Sequence, residues 1–148
     1  MEQVLPLLIE QATGARDRQS ARLAQVRQSV QQAQATLERL QAFRLECLAR
    51  SPAAQLGRGD GAMLAGYQQF LGRLDDAIAM QRQEAALRQA QADQQQALLA
   101  QCQQKLLAFQ TLAARQAQRR ELRAARKSQR ESDEFAARAY ARGQERTA

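Results

Sequence analysis

The sequence predicts an all-α fold in which two long helices form an antiparallel coiled-coil hairpin, the second helix longer and overhanging the first. Three observations predict it. Apolar residues recur at alternating three- and four-residue steps along most of the chain, the spacing of a coiled-coil seam. The 148 residues include four Phe, two Tyr and no Trp, and Ala, Gln, Arg and Leu fill most positions, which favours long helices over a globular core. Gly57, Gly59, Gly61 and Pro52 all fall within "SPAAQLGRGDG", residues 51–61, so one stretch concentrates four of the chain's nine Gly and Pro residues. At this length the chain is one domain, 1–148.

The first helix is expected over about residues 4–50. Leu23, Val26, Val30, Ala33, Leu37, Leu40, Arg44 and Cys47 follow strict 3–4 spacing, and all but Arg44 are apolar. Pro6 falls in its first turn, where a missing N–H costs little. The bend is expected at 51–61. Ser51-Pro52 disfavours continued helix, the glycines allow reversal, and Asp60 is positioned to cap the second helix. That second helix is expected over about 61–140, its seam running from Leu64 through Tyr67, Leu71, Leu74 and Ile78 to Phe109 and Ala113 without a slip of phase.

A short connection makes the helices antiparallel neighbours. With a positions layered against d positions, the expected register pairs residues whose numbers sum to 111: Leu40 with Leu71, Arg44 with Tyr67, Leu37 with Leu74. Gln19, Arg88 and Gln95 then make the middle of the seam polar. Such residues cost stability and can fix register. The same register exhausts the first helix near residue 108, leaving 109–148 as an overhanging basic tail, ~60 Å long if helical.

Phe43 and Phe70 occupy g positions, almost level with each other near the bend, and Ala77 continues the line. Either they widen the hydrophobic seam at a frayable end, or they form an exposed apolar patch that awaits a partner.

The net charge is +7, and "RQAQRRELRAARKSQR", residues 115–130, holds seven basic residues and one acid. A run of this kind is a solvated or protein-binding face more often than a nucleic-acid reader. Cys47 and Cys102 both lie on the seam and are expected as small buried thiols in a reducing cytosol. There is no histidine, so neither an ordinary zinc site nor a Ser–His or Cys–His nucleophile can be assembled. Asp75 and Asp76 diverge by about 100° on a helix and make no catalytic pair. The N-terminus lacks the basic start and cleavage site of a secretory signal. A cytosolic protein with no enzymatic activity, metal or cofactor is expected.

Three stretches taken together, "YQQFLGRLDDAIAMQ" (67–81), "LLAFQTLAARQ" (106–116) and "SDEFAARAYAR" (132–142), resemble the flagellar export protein FliJ family over nearly the whole chain. The resemblance implies a coiled coil similar to the γ stalk of rotary ATPases. It also implies a cytoplasmic accessory of the flagellar type III export apparatus, peripheral at the inner face of the membrane through its partners. Those partners would be the hexameric export ATPase, whose ring assembly and activity it promotes, the cytoplasmic part of the membrane export-gate protein, and export chaperones.

The family's gate-binding pattern maps onto Leu40, Phe43, Phe70, Leu74 and Ala77. Phe43 stands where a tyrosine is familiar, Cys47 where another aromatic is, and Gln81 where a histidine can be. Leu40 and Leu74 are also seam residues, so a purely structural role stays open for them. Similarity to rotary stalks points the overhang at the ATPase ring, with Arg119, Arg123, Arg126, Arg130, Asp133, Glu134 and Phe135 as expected contacts. The competing readings are the equivalent stalk of a virulence secretion system, a scaffold coil, and a basic coiled coil that binds nucleic acid through 115–130. The last predicts steeply salt-dependent binding with no need for Phe43 or Phe70.

Overall fold

The computed structural model describes residues 3–50 and 61–147. The bend expected at 51–60, with Pro52 and the Asp60 cap, lies outside them. Two helices make up the fold, α1 (Val4–Ala49) and α2 (Gly61–Thr147), and the described residues contain no strand and no positive φ. α2 extends beyond the expected end near 140, with Arg146 in its last turn, where a cation suits the helix dipole.

α1 packs against α2 as a hairpin, and the chain divides into two compact units, residues 14–103 and residues 1–13 with 104–148. In the first unit the core is the predicted seam. Leu23, Val30 and Ala33 of α1 and Leu74, Ile78, Ala85 and Ala92 of α2 are buried. Val26, Leu37, Leu40, Arg44 and Cys47, and on α2 Tyr67, Leu71, Gln81, Arg88, Gln95 and Leu99, are half-buried between them. Leu64 alone among the predicted seam residues of this unit is exposed. Two helices cannot cover each other completely, so each apolar stripe is shielded only along its centre.

The register differs from the expected one. The Tyr67 hydroxyl donates to the Cys47 carbonyl at 2.8 Å, the Gln81 amide donates to the Ala33 carbonyl at 3.0 Å, and Gln95 meets the Gln19 side chain. These three contacts, two heptads apart, set d against d, with partner numbers summing to 114. Arg88 reaches the Ser29 carbonyl at 3.1 Å, and Arg44 pairs with Asp75 at 2.5 Å rather than facing Tyr67. Part of the offset from 111 is side-chain direction. Helical side chains lean toward their own N-terminus, so antiparallel partners touch about one position later on each helix. The rest comes from the polar seam residues, which settle where their donors find a carbonyl on the facing helix. No buried side-chain polar atom among the described residues is left without a partner.

In the second unit Ala12 and Leu106 are buried, with Leu5, Ile9, Phe109, Ala113 and Gln116 half-buried around them. Leu5, Pro6 and Ile9 share a narrow crevice with Ala113, Gln116, Ala117 and Arg120. The paired section therefore reaches about residue 120, not 108, and among the described residues the exposed single helix is 121–147 rather than 109–148. This correction has the same sense as the register shift, since larger pairing sums bring more of α2 alongside α1.

Candidate protein-docking surfaces

Phe43 and Phe70 meet edge to face, their ring centroids 6.2 Å apart and their planes at 87°. That geometry puts the positive edge of one ring against the negative face of the other. The contact follows from the two g positions, which flank the seam from opposite helices. Neither ring enters the core: Phe43 is 47% exposed and Phe70 43%. On the neighbouring seam Leu74 is 7% exposed and Leu40 half-buried, and Ala77 lies open one heptad after Phe70. Leu74 is thus support rather than accessible surface, while Phe43, Phe70 and Ala77 are accessible.

Two further features frame the patch. Tyr67, bonded to the Cys47 carbonyl, and the Arg44–Asp75 ion pair tie the helices together close to it. The hydrogen bond from Arg44 to Asp75, then the carboxylate's charge, hold the guanidinium above its ordinary pKa. Met63, one heptad before Phe70 at the same g position, is 65% exposed and was legible from that spacing. Leu45 is exposed outside any g position, so no seam pattern marks it.

Of the expected ring-binding residues, Arg119 lies at the end of the paired section and the others on the exposed single helix. Arg119, Arg123, Arg126 and Arg130 succeed one another at four-, three- and four-residue steps and share one face, which Asp133 and Glu134 continue. Phe135, 75% exposed, stands on the other side of the helix. The Gln129 amide donates to Asp133 at 3.0 Å. Arg115–Arg119, Arg119–Arg123 and Arg126–Arg130 are like-charge i,i+4 pairs, each destabilising an isolated helix by a few tenths of a kcal/mol, about 0.2–0.5.

No group of three or more Cys, Asp or Glu side chains able to hold a metal occurs among the described residues, and no described helix is long and apolar enough to cross a membrane. Both cysteines are free and half-buried.

A model of the flagellar FliJ protein family matches residues 1–145 of the chain. No curated protein and no solved structure matches it.

Proposed function

The chain belongs to the FliJ family of the flagellar type III export apparatus, and from that premise we propose that it acts as a non-enzymatic, cytoplasmic coupling stalk. Its basic overhang engages the hexameric export ATPase and promotes ring assembly and activity. Its aromatic patch engages the cytoplasmic part of the membrane export gate, which brings the protein to the inner face of the membrane, and it handles export chaperones in passing. ATP hydrolysis belongs to the ring.

One observation carries the gate assignment. Half of the chain's four phenylalanines are spent on a pair that is in contact yet left nearly half exposed. An exposed edge-to-face aromatic pair beside a buried seam is the kind of surface where interface energy concentrates. For the ring, the support is electrostatic: an acidic partner would remove the repulsion among the tail's arginines.

Titration of the gate's cytoplasmic domain with wild-type protein and with the Phe43→Ala, Phe70→Ala variant tests the gate assignment. Loss of binding by at least about tenfold is expected, with the helices intact. Unchanged binding by the folded double variant would refute it.

A further inference from the structure

Two polar links between the helices bracket the aromatic pair. On the bend side of Phe43 and Phe70, the Tyr67 hydroxyl donates to the Cys47 carbonyl at 2.8 Å. On the far side, Arg44 Nε donates to Asp75 Oδ1 at 2.5 Å. This ion pair also reaches the flank opposite the rings. Phe43 and Phe70 occupy g positions, whereas Asp75 follows the d residue Leu74 and stands at e. On the e flank the helices leave a hollow of about 450 Å³, lined by Gln41, Arg44 and Leu45 of α1 and Asp75, Ile78 and Arg82 of α2. Among the described residues, no other hydrogen bond or ion pair crosses it.

Arg44 is the one charged residue on the α1 seam between Leu23 and Cys47, at a position where an apolar side chain would bury more surface. What an ion pair adds there is direction, because it fixes where one helix stands along the other. The rings need that. An edge-to-face contact depends on the offset between the two rings, and sliding one helix by a single residue displaces them by about 1.5 Å. Both rings are nearly half exposed, so packing against the coil holds each on one side only. The same slide would lengthen or misalign the Tyr67 and Arg44 bonds on either side of the pair.

We propose that Arg44, Asp75 and Tyr67 are positioning residues for the aromatic patch. They set how α1 and α2 stand against each other near the bend, so that Phe43 and Phe70 present one edge-to-face pair rather than two independent rings. A partner that reads the pair then meets a preformed surface and need not order the rings on binding. The inference deepens the gate assignment and rests on it for the partner. The positioning itself concerns this chain alone.

The test uses the full chain labelled with 4-fluorophenylalanine, whose four phenylalanines give four fluorine resonances assigned by single replacements. In Asp75→Ala, and in Tyr67→Phe apart from the fifth resonance it adds, the signals of Phe43 and Phe70 should move toward that of Phe135, which is 75% exposed, while Phe109 stays in place. Gln95→Ala removes the contact with Gln19 farther along the coil and controls for lost stability alone. It should leave the pair's signals unmoved. Titration with the gate's cytoplasmic domain should show Asp75→Ala binding about threefold more weakly than wild type. In a Phe70→Ala background, which has no pair left to position, Asp75→Ala should weaken binding no further. The exchange Arg44→Glu, Asp75→Arg should restore the signals and the affinity that Asp75→Arg alone loses. Unmoved signals in Asp75→Ala and Tyr67→Phe would overturn the inference, as would equal movement in Gln95→Ala. So would an equal further loss of binding in the Phe70→Ala background. If Phe43→Ala, Phe70→Ala itself binds the gate normally, the gate assignment fails, and the fluorine spectra decide the positioning without any partner.

Discussion

Phe43 and Phe70 separate two kinds of burial that a seam pattern alone merges. Each touches the other and the flank of the coil, but each keeps close to half its surface in water. Truncating either to Ala should therefore cost about 1 kcal/mol of stability, against the ~3–5 expected for a phenylalanine in a tight core. Urea unfolding of each single variant measures it, and a loss in the core range would move these rings from the surface to the interior. Tyr67 offers a contrasting case. Its hydroxyl bonds the Cys47 carbonyl in α1's last turn, where carbonyls have no donor from the helix itself, so Tyr67→Phe removes that bond and should cost about 0.5–1.5 kcal/mol. From the guanidinium's side, the Arg44–Asp75 bond is switched only by alkali. Its pKa is raised in the folded state, so its contribution is fully present below the guanidinium's ordinary value and is lost only as pH climbs through the folded one, in strong alkali.

Among elements, α2 is long enough that its interior glycines matter. Gly72 is one turn beyond Tyr67's contact, in helical conformation, and a Cβ built there meets nothing within 4 Å. Gly72→Ala should raise stability by about 0.5–1 kcal/mol through the unfolded chain's lost freedom, as a shift in urea midpoint would register. A second expectation concerns register. Cysteines at 19 and 95, with Cys47 and Cys102 replaced, should be joined within one chain by a short thiol-specific linker, whereas a pair at 19 and 81 should not. Linkage only between chains would contradict the hairpin.

The seam itself was legible because apolar periodicity is what buries a helix face, and residues from Leu5 to Cys47 and from Tyr67 to Ala113 fell where it placed them. The register was not. Counting apolar layers ignores Tyr67, Gln81 and Gln95, whose reach to facing groups sets the alignment, and the length of the overhang inherits that error. Phe43 and Phe70 were legible as paired g positions, while Leu74, which the sequence left open between gate contact and seam residue, is buried by its d position.

At the level of the whole molecule, the two surfaces belong to different compact units and differ in chemistry. The patch is aromatic and nearly uncharged, the overhang basic and, among the described residues, alone beyond about residue 120. They should therefore fail independently. Removing residues 121–148 leaves Leu5, Pro6 and Ile9 facing Ala113, Gln116 and Ala117, so the paired section keeps its contacts and the truncated chain should fold. It should bind the gate domain as the full chain does and lose stimulation of the export ATPase. Charge reversal at Arg123, Arg126 and Arg130 to Glu is the finer variant, since all three are exposed and the helix survives the change. It should weaken the ring association and flatten its dependence on salt, because fewer favourable charge pairs remain to be screened. ATPase rate and gate affinity, measured on the same preparations over a salt series, decide between outcomes. If the truncated chain stimulates the ring as well as the intact one, the ring is held by the paired section, and the arginine face serves solubility alone. If stimulation and gate binding fall together while the helices stay intact, the two surfaces form one coupled site, and their division between the units is incidental to function.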